Sequence, residues 1–257
     1  MLDYKEVEPG KELSKYVKGI AIMNNMAEVL HAQGLLPERF SVSKPKKVQV
    51  ASSNPLDQII REAKRGVCTP DLFTNYWRLK LEGVEIPDCD WTAGEIQRPM
   101  VDKLGRDIPG LMVPDLEVIT LPLLGQMYPG MGNRSVAEDS PVTETHLSRG
   151  WIKVYDSVDV PNLNTSKADA EKFAEGQGYL PGREKGYILG SQASKDFHGK
   201  YFDQGATWSW LLGSRVGGGV VSAGFSADGR LFAFWYLYDP EVPFQRNGWR
   251  FEEVKRA

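Results

Sequence analysis

The sequence predicts an α+β protein, with helices gathered in its first part and hairpin-linked strands at its end. Three observations carry that prediction. Apolar residues recur at helical spacing over residues 10–40 and again in two shorter, capped segments. Over residues 84–110 the composition shifts to a stretch rich in Pro, Gly and Asp with no period. Beyond residue 205 only strand-like pieces remain, separated by turn residues.

The first element is a helix. Leu13, Val17, Ile20, Met23, Met26, Ala27, Val29 and Leu30 fall three or four apart, Gly34 ends the run, and Pro37 follows. Residues 42–55 are polar and contain Pro and Ser, so they form a loop or one short strand. "PLDQIIREAKRG" is a helix closed by Gly66, and "TPDLFTNYWRLKLEG" is another, with Thr69 as N-cap and Pro70 at the first helical position. "VEIPDCDWTAGEIQRPMVDKLGRDIPG" reads as a linker, which places a boundary near residue 105. The expectation is a mainly helical N-terminal region, residues 1–105, followed by a second domain, residues 106–257.

In that second domain "GLMVP" is a short strand and "DLEVITLPLLGQMYP" a helix broken at Pro122. "RGWIKVYDSV" alternates as a strand. "NTSKADAEKFAEGQG" is a capped helix ending at Gly176 or Gly178. "KGYILGSQASKDFHGKYF" is helical in its second part. "ATWSWLLGSR", "GVVSAGFS", "RLFAFWYLY" and "GWRFEEVK" are strands.

Composition excludes several function classes. The 31 basic and 34 acidic residues give a formal charge of -3, with no basic stripe for nucleic acid. No run of 18 apolar residues suggests a membrane span. The N-terminus lacks an apolar signal-peptide core, so a cytoplasmic protein is expected, with surface display by another route left open. Cys68 and Cys89 form no C-x-x-C motif and read as reduced thiols, a single disulfide being the alternative. His31, His146 and His198 stand in no metal-ligand pattern, and no nucleophile, phosphate-loop or dinucleotide motif is present. "GSRVGGG" is a hairpin turn, and "DCD", residues 88–90, a polar linker, a cation site being the alternative. No catalytic residue, cofactor or metal is expected.

The informative stretch is "VVSAGFSADGRLFAFWYLYDP". A two-residue Asp228-Gly229 turn would mix the character of both faces. A five-residue loop, Ala227 to Leu231, sets Ser226 opposite Phe232, Gly224 opposite Phe234 and Ser222 opposite Tyr236. It then separates a core face of Val221, Ala223, Phe225, Ala233, Trp235 and Leu237 from an outer face of Ser, Gly and aromatic residues. That outer face is either covered by another layer or is an exposed aromatic platform, which would mark an interaction site.

The stretches "TWSWLLGSR", "GGGVVSAGFSADGRLFAFWYLYDP" and "GWRFEEVK" resemble the C-terminal part of variable proteins of diversity-generating retroelements. "IPGLMVP", "GWIKVYDSVDVPN" and "YILGSQASKDFHGKYFD" are similar too, so the resemblance covers roughly residues 108–257. It implies a C-type lectin-like fold, related to formylglycine-generating enzymes, with a variable region at about residues 215–250. In that family AAY codons mutate to NNY, which encodes neither Trp, Glu nor Gln. Ser222, Gly224, Ser226, Phe232, Phe234, Tyr236 and Tyr238 all belong to the permitted set, and Val242 and Phe244 could continue it. Trp235, Glu241 and Gln245 do not. The resemblance makes Trp208, Trp210, Leu212, Trp235, Trp249 and Phe251 the scaffold, with Arg215 and Arg250 bracing loops or lining the site. The calcium-lectin motifs and the active-site cysteines of the related enzymes are missing, so neither activity is expected. The expected function is display of a diversified surface to a protein ligand. The competing readings are an enzyme with a cleft between the two halves and a structural protein that oligomerises through the aromatic face.

Overall fold

A computed structural model describes residues 54–145, 148–236 and 245–255, together with the backbone but not the side chain of Tyr236. The helix expected over residues 10–40 lies outside the described residues. Asn54 caps helix α1 (Pro55–Lys64) by accepting from the Leu56 N–H at 3.0 Å. Thr69 caps α2 (Pro70–Lys80) in the same way, through Leu72. In each helix proline occupies the first turn, where its missing N–H removes nothing from the hydrogen-bond ladder.

The expected linker is ordered. Thr92 and Glu95 form a capping box at the head of α3 (Ala93–Gln97). β1 (Met100–Val101) and β2 (Asp107–Ile108) pair as a small antiparallel hairpin. β3 (Gly110–Asp115) follows, then α4 (Leu121–Met127), which corrects the expectation of a helix broken at Pro122. Thr120 is the N-cap and accepts from the Leu123 N–H, so Pro122 sits in the opening turn, starting the helix rather than interrupting it.

β4 (Thr143–Glu144) and β5 (Gly150–Tyr155) precede α5 (Lys167–Gln177), which runs from Ser166 as cap to Gly178 at φ 70. Then come β6 (Leu180–Pro181) and α6 (Glu184–His198), which begins earlier than the expected second part of its segment. The last strands are β7 (Trp208–Val216), β8 (Gly219–Phe225), β9 (Leu231–Tyr236), β10 (Asn247–Trp249) and β11 (Phe251–Val254). The α+β class is therefore observed.

Two sheets result. One is antiparallel, in the order β3-β5-β11-β6. The other runs β10-β7-β8-β9, with β4 also pairing β7; only β10 and β7 are parallel. Helix α6 is buried from Glu184 through Ser194 and packs on β3, β5 and β7, as well as on α1 and α4.

The boundary expected near residue 105 does not correspond to a break in packing. Phe73, Tyr76 and Trp77 of α2 share one buried core with Met112, Ile188, Val221 and Ala233. Trp77 Nε1 donates to the Met112 carbonyl at 2.8 Å. Lys153, fully buried in β5, donates to the carbonyls of Glu95 and Arg98 and pairs with Glu253 at 2.8 Å. Residues 72–97 thus complete the core of the sheets, because a four-stranded sheet with an apolar face needs a covering layer. A second cluster holds Tyr155, Ala170, Ala174, Trp210, Val220, Trp249 and Phe251, with Trp210 and Trp249 stacked at 5.9 Å.

Replacing Trp77 with Ala is expected to destabilise the whole protein by about 3–5 kcal/mol, the usual range for a buried aromatic. Urea unfolding should shift as one transition involving α2 and the sheets. A separate low-stability transition for residues 55–105 would restore the two-domain picture.

Candidate functional site

The hairpin of β8 and β9 places the site. Its pairs are Gly224–Phe232, Ser222–Phe234 and Val220–Tyr236 on one face, and Phe225–Leu231, Ala223–Ala233 and Val221–Trp235 on the other. This corrects the expected register by two residues. The loop has the expected length but spans Ser226–Arg230. Ser226 closes it: its N–H donates to the Arg230 carbonyl at 3.0 Å, and its Oγ accepts from the Arg230 N–H at 3.0 Å. Gly229 turns the chain at φ 86 and donates to the Ser226 carbonyl. A two-residue shift preserves face membership, because side chains alternate with period two. The separation of faces therefore stands, with different cross-strand partners.

On the inner face Val221, Ala223, Phe225, Leu231 and Ala233 are all buried. Trp235 belongs to this face but is only partly buried, less than its expected core role required. On the outer face Phe232 is 41% and Phe234 50% exposed. Three residues expected to vary freely there are constrained. Ser222 is 2% exposed and Gly224 is buried. Ser226 belongs to the loop's hydrogen-bond network, not to a free surface. Tyr238, Val242 and Phe244 lie outside the described residues.

Trp208 explains the burial of Gly224. A β-carbon added at Gly224 would lie 3.3 Å from the Trp208 ring, so the indole rests on the glycine. The same ring reaches Phe232 at 6.4 Å and Phe234 at 5.7 Å, both tilted. Trp208, expected in the core, instead forms with the two phenylalanines a three-ring aromatic surface above a Gly floor. Along the same face, Trp210 and Val220 are covered by the second core cluster. One end of the face is thus closed and the other open. An open aromatic surface of this kind can bury apolar area against a partner.

The two arginines divide. Arg250 is buried and braces a loop, donating to the carbonyls of Ser157 and Val158 and to Ser209 Oγ. Arg215 donates to the Gly218 carbonyl across the β7–β8 turn. His198 bonds Asp156 at 2.8 Å, and that carboxylate raises its pKa. Cys68 and Cys89 are unpaired, and burial pushes the Cys89 thiol up to about 11. Among the described residues no group of three His, Cys, Asp or Glu side chains could hold a metal ion, and no helix is long and apolar enough to cross a membrane.

One polar constellation was missed by sequence reasoning. Arg183, fully buried at the N-cap of α6, pairs with Asp115 at 2.7 Å and Glu252 at 2.9 Å, and faces Glu144 at 3.6 Å. Lys185 pairs with Asp115 at 3.0 Å. Glu184 has no such cation: Oε1 accepts from Ser135 Oγ and Oε2 is unpartnered, so burial pushes its pKa up to about 7. These residues are far apart in the chain and share no motif spacing. The weak signal was the run Arg183-Glu184-Lys185 at the head of an otherwise apolar helix.

Comparison with protein-family models, with curated proteins and with solved structures finds no match to this chain.

Two expectations follow. Phe232→Ala and Phe234→Ala should each cost about 1 kcal/mol or less, since half-exposed rings lose only part of their contacts. Trp249→Ala should cost about 3–5 kcal/mol, with Trp235→Ala between, all read by chemical denaturation. The buried Glu184 should make stability depend on pH. Its folded pKa is raised to about 7 from the usual 4.5. Its contribution is therefore fully present below pH 4.5 and is lost as pH rises towards 7, by roughly 1.4 kcal/mol per unit and about 3 kcal/mol in all. Glu184→Gln should remove that fall; a parallel pH–stability profile in wild type and variant would contradict the assignment.

Proposed function

We propose that this chain is a ligand-binding protein without catalytic activity. In this reading residues 108–257 adopt a C-type lectin-like arrangement and present the open aromatic end of the β7–β8–β9 sheet to a protein partner. The observation that carries it is the exposure of Phe232 and Phe234, side by side on a strand whose Leu231 and Ala233 are buried. Exposed neighbouring aromatics supply large apolar area at low entropic cost and act as anchors in interfaces. Trp208 behind them stiffens the rings, so little side-chain freedom is lost on binding.

The resemblance to variable proteins of diversity-generating retroelements gives this surface a reason to vary. Phe232 and Phe234 can change with little cost to the fold, whereas Ser222 is buried and Gly224 lies against the Trp208 ring. The variable set is accordingly narrower than the pattern of permitted codons suggests. It includes Phe232 and Phe234 and excludes the two small residues opposite them.

The DNA beside the gene tests this reading. The expected finding is a reverse-transcriptase gene and a near-repeat of the codons for about residues 215–250. The repeat should differ from the gene at the Phe232 and Phe234 codons and match it at those of Leu231 and Ala233. A repeat with its differences at Leu231 and Ala233, or no repeat at all, would overturn the retroelement origin of the surface.

A further inference from the structure

Among the described buried carboxyls Glu184 alone has no cation against it. Asp102, Asp115, Asp203, Glu252 and Glu253 each face an arginine or lysine within 3.5 Å. The groups around Glu184 supply no positive charge. α6 sets Tyr187 beside it, β4 sets Glu144, and β7 sets Ser214, whose Oγ accepts from the Glu184 N–H at 2.7 Å. Its chain neighbours are committed elsewhere, Arg183 to Asp115 and Glu252 and Lys185 to Asp115. One side-chain donor reaches the carboxyl: Ser135 Oγ donates to Oε1 at 2.5 Å, while Oε2 has no partner. An ion held so poorly is costly to bury, which is why the pKa lies at about 7.

Ser135 belongs to a strap, residues 132–142, that leads into β4. Gly132 opens the strap in the left-handed region at φ 56, and a 3-10 turn, Arg134–Val136, turns Ser135 inward. Arg134, Glu138 and Asp139 lie on its exposed side. Arg134 is the strap's one cation, and it faces Asp139 at 3.9 Å.

The strap carries a hydrogen-bonded path across the molecule. The Ser135 N–H donates to Asn133 Oδ1 at 2.9 Å, and Asn133 Nδ2 donates to the Leu231 carbonyl of β9 at 3.2 Å. Glu184 is thereby joined through Ser135 and Asn133 to the residue that precedes Phe232. Ionisation of Glu184 would place a charge beside Glu144 with a single hydroxyl to receive it. α6 and β7 on its other sides belong to the buried core, so the strap is the cover that can move aside for water.

We propose that residues 132–142 are a pH-released strap: protonated Glu184 keeps it closed and holding Leu231 at the edge of β9, and ionised Glu184 makes it lift, hydrating the carboxylate and freeing the Leu231 carbonyl. The direction follows from a closed-state pKa of about 7 against the usual 4.5. Closure is fully favoured below pH 4.5, weakens about tenfold per pH unit as pH rises to 7, and is level above it. Release reaches the aromatic surface through Leu231; that consequence rests on the ligand-binding reading, whereas the release itself does not.

NMR of the full chain from about pH 4.5 to about pH 8, without any ligand, tests the strap. Hydrogen-exchange protection of the Ser135 and Val136 amides, corrected for the intrinsic rate, should fall about tenfold per unit up to pH 7 and then level off. At every pH it should stay below that of Ile152 and Val154 in β5, as local release requires. The Leu231 carbonyl shift should titrate in step. Glu184→Gln should hold all of these constant. Asn133→Ala leaves Glu184 in place and keeps the test decisive if Glu184→Gln fails to fold. It should abolish the Leu231 titration and preserve the fall at Val136, whose N–H donates to the backbone carbonyl of residue 133. A flat wild-type profile, the same fall in Glu184→Gln, protection equal to that of Ile152 throughout, or an unchanged Leu231 titration in Asn133→Ala would overturn the proposal.

Discussion

The structure depends on one buried ionic clamp. Arg183 stands at the head of α6 with no exposure to solvent and holds Asp115 of β3 and Glu252 of β11, while Glu144 of β4 faces it from the other sheet. Its backbone N–H also donates to Glu252 Oε1 at 2.8 Å. A buried guanidinium is costly unless its carboxylates are placed to match it. That requirement fixes where the helix starts relative to strands from both sheets. Losing one partner would leave an uncompensated buried charge, which makes the arrangement specific even where its net contribution to stability is small.

The clamp sets the geometry of the binding face indirectly. It anchors α6, whose Tyr187, Ile188, Leu189 and Ala193 fill the core against which Val221, Ala223, Phe225, Leu231 and Ala233 pack. With the inner face of β8 and β9 committed to that core, their alternate side chains must point away from it. The second cluster, around Trp210 and Trp249, closes one end of the outward face. At the other end Trp208 makes ring contacts with Phe232 and Phe234, both of which stay about half exposed. The aromatic surface therefore follows from a sheet that is two-sided in composition but covered over only part of one side.

Much of this was legible in the sequence, and the failures have physical causes. Thr69 and Ser166 marked helix starts because a cap is a local interaction that its own residue type advertises. Pro122 was misread because proline is compatible with both the break and the first turn of a helix, and only Thr120 decides between them. The faces of β9 were readable from alternation, whereas the register was not: the hydrogen bonds of Ser226 select the loop, and alternation is blind to a shift of two. The burial of Ser222 and Gly224 was hidden because small residues carry no apolar signal; Ser222 lies opposite Trp210 in the sheet, and the Trp208 ring rests on Gly224. The start of α6 was missed because its buried side chains include Glu184, Lys185, Ser191 and Ser194, which periodicity counts as exposed. The clamp itself joins residues from Asp115 to Glu252, and no local pattern links them.

The central claim is that one strand carries two independent specifications, a core face and a binding face. A saturation scan of positions 220–236, scored for folded, protease-resistant protein, tests it most directly. The account predicts that Phe232 and Phe234 accept most residue types, charged ones included. It predicts that Val221, Ala223, Leu231 and Ala233 accept only small or apolar replacements, and that Ser222 and Gly224 stay small. Equal intolerance at Phe232, Phe234, Leu231 and Ala233 would show that both faces of β9 belong to the core and would contradict the account.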